Sequence, residues 1–184
     1  MTIPNMLTLF RIGLIPVMVV LFYLPFDWTR LVTAIIFATA SFTDLFDGYI
    51  ARSTGQITDL GAFLDPVADK LMVAVALTML VESYASIWLT IPAIVIICRE
   101  LLVSALREWM GTYGTQGTVD VAFIGKVKTT LQMIAITGLL ANPPQPVDDI
   151  LILAYILLYA SFFLTLWSMY HYLQQAWPDL TSGR

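Results

Sequence analysis

Cysteine occurs once in this chain, as Cys98, and histidine once, as His171. A single cysteine excludes an internal disulfide and argues against a thiolate metal cluster. Charge is scarce as well. Lys, Arg, Asp and Glu make up 12% of the 184 residues, where a soluble domain carries about 25%. That shortage argues against a water-soluble globular fold, and apolar stretches of about 20 residues recur along nearly the whole length. The net charge of −4 does not suggest nucleic acid as a partner. The N-terminus has no basic stretch, and no small-residue cleavage site follows its first apolar run, so no cleavable signal peptide is expected. No repeat, low-complexity tract or second composition breaks the pattern. Residues 1–184 are therefore expected to form one domain.

Hydrophobic residues make up 59% of the chain and come in blocks. Six segments can be marked, at about 6–24, 31–51, 62–81, 87–110, 123–141 and 150–173. Each is near the ~20 residues that a spanning helix needs. The breaks between them have turn chemistry: Pro25-Phe26-Asp27-Trp28, the Gly- and Thr-rich stretch 111–117, and Asn142-Pro143-Pro144-Gln145-Pro146. Pro16 and Pro92 lie inside segments, which membrane helices tolerate. The expected fold is an all-α membrane protein of six transmembrane helices. Lys and Arg set its orientation. Arg11, Arg52, Arg107, Lys126, Lys128 and Arg184 fall on one side, and only Arg30 clearly on the other. The first side is expected to be cytoplasmic, with both termini. Asp27, Glu82, Asp148 and Asp149 occupy the opposite loops, and Trp28, Trp88 and Trp167 suit the interfaces.

The second and third segments break the apolar rule in an organised way. Asp44 and Asp47 are three apart and share a helix face; Asp65 and Asp69 are four apart and share another. A short connection returns the chain antiparallel. Asp44 lies about 12 Å of helix rise inside the boundary at Arg52. One acid at such depth costs a few kcal/mol, and four together also repel. Divalent cations answer both problems, because carboxylate oxygens suit hard ions and Mg²⁺ is commonly held by carboxylates together with phosphate oxygens. Four acids are enough for two ions, and a metal pair clamps an in-line phosphoryl displacement. Gly48 and Ala51 stand one turn on from Asp44 and Asp47 and leave a slot suited to a nucleotide. Arg52 reaches phosphate oxygens from the rim of that polar, cytoplasm-facing cavity. Pro66 is expected in the first turn of the third helix, and Asp59 in the loop before it.

The spacing Asp-x2-Asp-Gly-x2-Ala-Arg-x8-Gly-x3-Asp-x3-Asp, from Asp44 to Asp69, resembles the signature of the CDP-alcohol phosphotransferases. Asp44, Asp47, Gly48, Ala51, Arg52, Gly61, Asp65 and Asp69 all match. The six-segment pattern agrees, so the resemblance covers nearly the whole chain. It implies a homodimer and a requirement for two Mg²⁺ or Mn²⁺ ions. It also implies attack by an alcohol on a CDP-linked substrate, with release of CMP. By position, Asp44, Asp47, Asp65 and Asp69 bind the metals. Asp69 also acts as general base, and Gly48, Ala51, Arg52 and Gly61 shape the cytidine diphosphate site.

Three further stretches resemble the bacterial members that use glycerol 3-phosphate. They are residues 3–11, Arg99-Glu100 with Ser104-Ala105-Leu106-Arg107-Glu108, and Ile124-Gly125-Lys126-Val127-Lys128-Thr129-Thr130. The implied donor is CDP-diacylglycerol, the implied acceptor sn-glycerol 3-phosphate, and the implied product phosphatidylglycerophosphate. The implied location is the bacterial cytoplasmic (inner) membrane. With Arg52 serving the donor, Arg107, Lys126 and Lys128 are the candidates for the acceptor's phosphate, because they flank one cytoplasmic connection.

Competing readings exist for most of these residues. Four intramembrane acids by themselves also suit an ion-coupled transporter. Within the family, inositol phosphate or serine are alternative acceptors. Arg99 and Glu100 read equally as a structural ion pair. Lys126 and Lys128 are two apart on a helix, so one of them faces the cavity at most. His171 reads as interfacial decoration.

Overall fold

A computed structural model describes the backbone of residues 3–54, 59–112 and 122–181. It describes the side chains of residues 6–43, 61, 64, 66–106, 125–174 and 177. All regular secondary structure among these residues is helical. In chain order the helices are α1 (Ile3–Tyr23), α2 (Asp27–Thr54), α3 (Asp59–Tyr84), α4 (Ile87–Thr112), α5 (Ala122–Ala141) and α6 (Asp149–Thr181). Each matches one of the six apolar segments, α1 ending one residue short of its segment. Most run beyond their segment into polar flanks.

Local chemistry explains several ends. Asp27 and Asp149 stand in the first turns of α2 and α6, where a negative charge meets the positive end of the helix dipole. Asp148 Oδ1 accepts the Leu151 amide at 2.8 Å and caps α6. Ala85 takes φ 44° in the tight turn between α3 and α4, the left-handed position that commonly ends a helix. Pro16 and Pro92 lie within continuous helices, as expected. The expectation for Pro66 is corrected. The helix starts at Asp59, so Pro66 lies about two turns inside α3, and Asp59 belongs to the helix rather than to the loop. The apolar run begins later than the helix because an acidic residue is favourable at a helix N-terminus.

The outer surface departs from the pattern of a soluble protein. Phe10, Val20, Phe42, Ile94, Leu101, Ile156 and Phe163 are exposed, while Arg11, Arg99, Lys128, Gln132 and Ser168 are buried. Apolar groups outward and polar groups inward is the arrangement a lipid solvent favours. Helices α1, α4 and α6 are long and apolar enough to cross a membrane. Charged residues on α2, α3 and α5 lower the hydropathy of those helices.

The interior is built from Phe37 of α2, Met72, Leu77 and Leu80 of α3, Leu89 and Ile96 of α4, Ile136, Leu139 and Leu140 of α5, and Leu158 of α6. Helix α5 packs most extensively on α6, α1 lies against α2 and α3, and α4 lies against α6 and α3. At the end remote from the acids, Arg30 binds the bundle together. It donates to Ser83 Oγ at 2.8 Å and to the Asn142 carbonyl at 3.3 Å, and it lies over the Phe22 ring. The Tyr84 hydroxyl donates there to the carbonyls of Leu139 and Asn142. Burial raises its phenol well above the ordinary range, so it stays a neutral donor.

Candidate active site

Helices α2 and α3 are joined by residues 55–58 alone, so they run back antiparallel. Their register pairs the acids by depth. Asp47 is seven residues before the end of α2, and Asp65 is six after the start of α3. Both lie about 10 Å from the connection, and Asp44 and Asp69 both lie about 15 Å from it. Gly48 and Ala51 follow Asp44 and Asp47 by one turn on the same helix. Arg52 stands near the end of α2, and Gly61 is buried in the first turn of α3. By residue type these four positions, on consecutive helices at two matching distances from their connection, are all carboxylates. That chemistry fits hard divalent ions. The side chains of Asp44, Asp47, Gly48, Ala51, Arg52, Asp65 and Arg107 lie outside the described residues. Among the described residues, no three His, Cys, Asp or Glu side chains gather as a metal site.

Asp69 is described, and it is half-buried. It lines a cavity of about 450 Å³ between α2 and α5, together with Ser41, Phe42, Thr130, Met133 and Gly138. Its lining mixes polar side chains, Ser41, Asp69, Thr130 and Thr137, with apolar ones, Phe42, Met133 and Ile134. A larger cavity of about 750 Å³ lies at the other end of the bundle. Tyr84, Tyr155 and Tyr159 line it, and no carboxylate does, so it offers nothing to hold a metal.

The cations sort by helix face. Lys126 is exposed and Lys128 is buried, 1% accessible, although they are two residues apart. Two residues turn a helix by about 200°, so one points out and the other in. The Lys128 ammonium donates to Glu100 Oε1 of α4, and Arg99 Nη1 donates to the same oxygen at 3.2 Å. Arg99 Nη2 donates to Ser168 Oγ of α6 at 2.9 Å. Arg99 and Glu100 are thus ion-paired, one of the two readings their sequence left open. Sequence reasoning passed over Ser168 and Gln132. Ser161, Thr165 and Ser168, spaced i, i+4, i+7 on a helix otherwise rich in apolar residues, were the available signal for the first. A lone glutamine one turn after Lys128 was a weaker signal for the second.

Paired acids at two depths on α2 and α3, followed by small residues and an arginine, run through the part of the chain that a family model also matches. The model for CDP-alcohol phosphatidyltransferase covers residues 1–167. The chain belongs to the CDP-alcohol phosphatidyltransferase family. It is thus a transferase enzyme. Its relatives are close. One from Yersinia pestis (strain Pestoides F) is 52% identical over 180 residues, covering 98% of this chain and 97% of its own length. One from Pectobacterium atrosepticum is 53% identical over 178 residues, covering 97% and 96%. A third, from Sodalis glossinidius, is 52% identical over 180 residues. All three are named CDP-diacylglycerol–glycerol-3-phosphate 3-phosphatidyltransferase. The membership agrees with the resemblance carried by Asp44 to Asp69 and with an all-helical fold.

Proposed function

We propose that the chain transfers the phosphatidyl group of CDP-diacylglycerol to sn-glycerol 3-phosphate, forming phosphatidylglycerophosphate and releasing CMP. The observation that carries this reading is identity above half, across nearly the whole length, to relatives named for that reaction. It is one membrane domain of six spanning helices, working as a homodimer in a bacterial cytoplasmic membrane. Termini and site face the cytoplasm, where positive charge gathers.

Asp44, Asp47, Asp65 and Asp69 hold two Mg²⁺ or Mn²⁺ ions, which supply charge neutralisation at the diphosphate and the leaving group. Gly48, Ala51 and Gly61 leave room for the cytidine diphosphate, and Arg52 binds its oxygens. Of the candidates Arg107, Lys126 and Lys128, Arg107 and the inward-facing Lys128 receive the acceptor's phosphate, and Lys126 adds positive charge at the exposed rim. Asp69 takes the proton of the acceptor hydroxyl. The hydroxyl oxygen forms a bond to the lipid-bearing phosphorus as the bond to CMP breaks. The cavity beside Asp69, whose lining mixes polar and apolar side chains, suits a donor with a charged head and acyl tails.

The test is CMP release by purified protein given CDP-diacylglycerol and a panel of acceptors. We expect glycerol 3-phosphate to be used far better than inositol phosphate or serine. Preference for either of the others would reassign the acceptor, and no CMP with any acceptor would favour an ion-coupled transporter.

A further inference from the structure

The larger cavity, of about 750 Å³, has no part in the reaction as described above. It lies far from the acids, because Tyr84, at the end of α3, stands about 22 Å of helix rise beyond Asp69. The cavity follows α6 from Leu151 to Phe163, about 18 Å along the helix. That is close to the hydrocarbon depth of one leaflet, about 15 Å. Tyr84 and Ser86 at the α3–α4 turn wall one side, and Pro144 and Gln145 of the loop before α6 wall another. Ile152, Ile156 and Phe163 are exposed, so the cavity opens sideways from the bundle as a groove. Ile156, Ala160 and Phe163 follow one another on one face of α6, and the small Ala160 leaves a dent between the two larger side chains.

The polar lining favours one kind of headgroup. The Tyr84 hydroxyl donates to the Leu139 and Asn142 carbonyls, and the Tyr159 hydroxyl donates to the Trp88 carbonyl at 2.9 Å. With those protons engaged, each phenol still offers an oxygen lone pair and no donor. The rings of Tyr84 and Tyr155 meet edge to face with centroids 6.2 Å apart, and clustered aromatic faces attract ammonium groups. Among the described residues, no Lys, Arg or His lines the cavity. Arg30, at the same end of the bundle, is engaged by Ser83, the Asn142 carbonyl and the Phe22 ring. Asp148 and Asp149 are exposed where α6 begins, and the charge of Asp148 reaches Tyr84. The mouth is thus acceptor-rich and negative. It suits an ammonium group and repels a head with net negative charge.

We propose that this groove seats a phospholipid with an ammonium-bearing head, drawn from the leaflet remote from the acids. The ammonium lies among the tyrosines near Asp148, and an acyl chain follows Ile156, Ala160 and Phe163. A lipid seated there touches both α6 and the α3–α4 turn.

The test mixes full-length protein in detergent with equal amounts of phosphatidylethanolamine and phosphatidylglycerol of the same acyl chains. Native mass spectrometry counts the lipid retained. We expect the wild-type protein to retain phosphatidylethanolamine in preference. Asp148→Asn removes the charge while asparagine still caps α6. It is expected to lower that retention about two- to fivefold, the scale of one ammonium contact at a half-exposed site. Ala160→Trp fills the dent and should lower it further; Asp148→Asn serves if the Trp variant does not fold. Equal retention of both lipids by the wild-type protein, or retention unaltered in both variants, would overturn the proposal. So would an Ala160→Trp variant that turns a dimer into a monomer and keeps its lipid, since the groove would then hold a second copy of the chain.

Discussion

A Cβ on Gly138 would stand 3.0 Å from the Cβ of Ala154. Glycine on α5 thus lets the backbone of α5 close on α6, the most extensive helix contact in the bundle. Small residues at such crossings are the usual means of helix association in lipid, where apolar burial alone gives little advantage. The Gly138 carbonyl also accepts from Asn142 Nδ2 at 2.8 Å, at the end of the same helix. We expect Gly138→Leu to lower stability by about 1–3 kcal/mol through overpacking. Thermal unfolding in detergent measures it. An unchanged Tm would mean that α5 and α6 have slack at this crossing.

Four carboxylates at two matched depths lead to a prediction about metals. Excess chelator is expected to abolish CMP release, and Mg²⁺ or Mn²⁺ to restore it. The acids should then separate by role. Asp44→Asn weakens metal binding, so added Mg²⁺ recovers part of the rate. Asp69→Asn leaves turnover low even at saturating metal, because the base itself is gone. Titrating both variants with Mg²⁺ decides the matter; identical responses would remove the support for Asp69 as base.

The non-reacting phosphate of the acceptor has to be kept off the metals. Arg107→Ala, Lys126→Ala and Lys128→Ala are each expected to raise the half-saturating glycerol 3-phosphate. Burial of Lys128 and exposure of Lys126 rank the effects. The loss at Lys128 should be the larger of the two and reach an order of magnitude, since a charge-assisted contact is worth about 1.5–3 kcal/mol. Wild-type acceptor affinity in all three variants would refute the assignment.

Orientation is checked by labelling. With Cys98 replaced, a cysteine at Thr58 should react with impermeant reagents from the cytoplasmic side alone. A cysteine at Gln145, beyond the Arg30 cluster, should react from the opposite side alone. The reverse pattern would overturn the distribution of Lys and Arg as the guide to topology.

The helix positions of the acids were legible in the sequence because helical spacing is local. Asp44 and Asp47 fall within α2, and Asp65 and Asp69 within α3, as the apolar blocks around them led one to expect. The six helices were legible for the same reason, as hydrophobic blocks, and three of them, α1, α4 and α6, are long and apolar enough to cross a membrane. Pro66 shows where local reading stops short: the apolar run marks where a helix meets lipid, not where its hydrogen bonds begin. Other features needed the neighbours. That Lys128 turns inward and Lys126 outward follows from which face of α5 meets the bundle. Glu100 of α4 receives Lys128 of α5, 28 residues away in the chain, and no spacing along the chain announces that meeting. Gly138 meets Ala154 only once two helices have chosen their crossing point. Helical periodicity is dictated residue by residue, so the sequence by itself determined the elements and the helix positions of the acids. The partners of each buried charge depend on which faces pack together, so only the tertiary structure decided them.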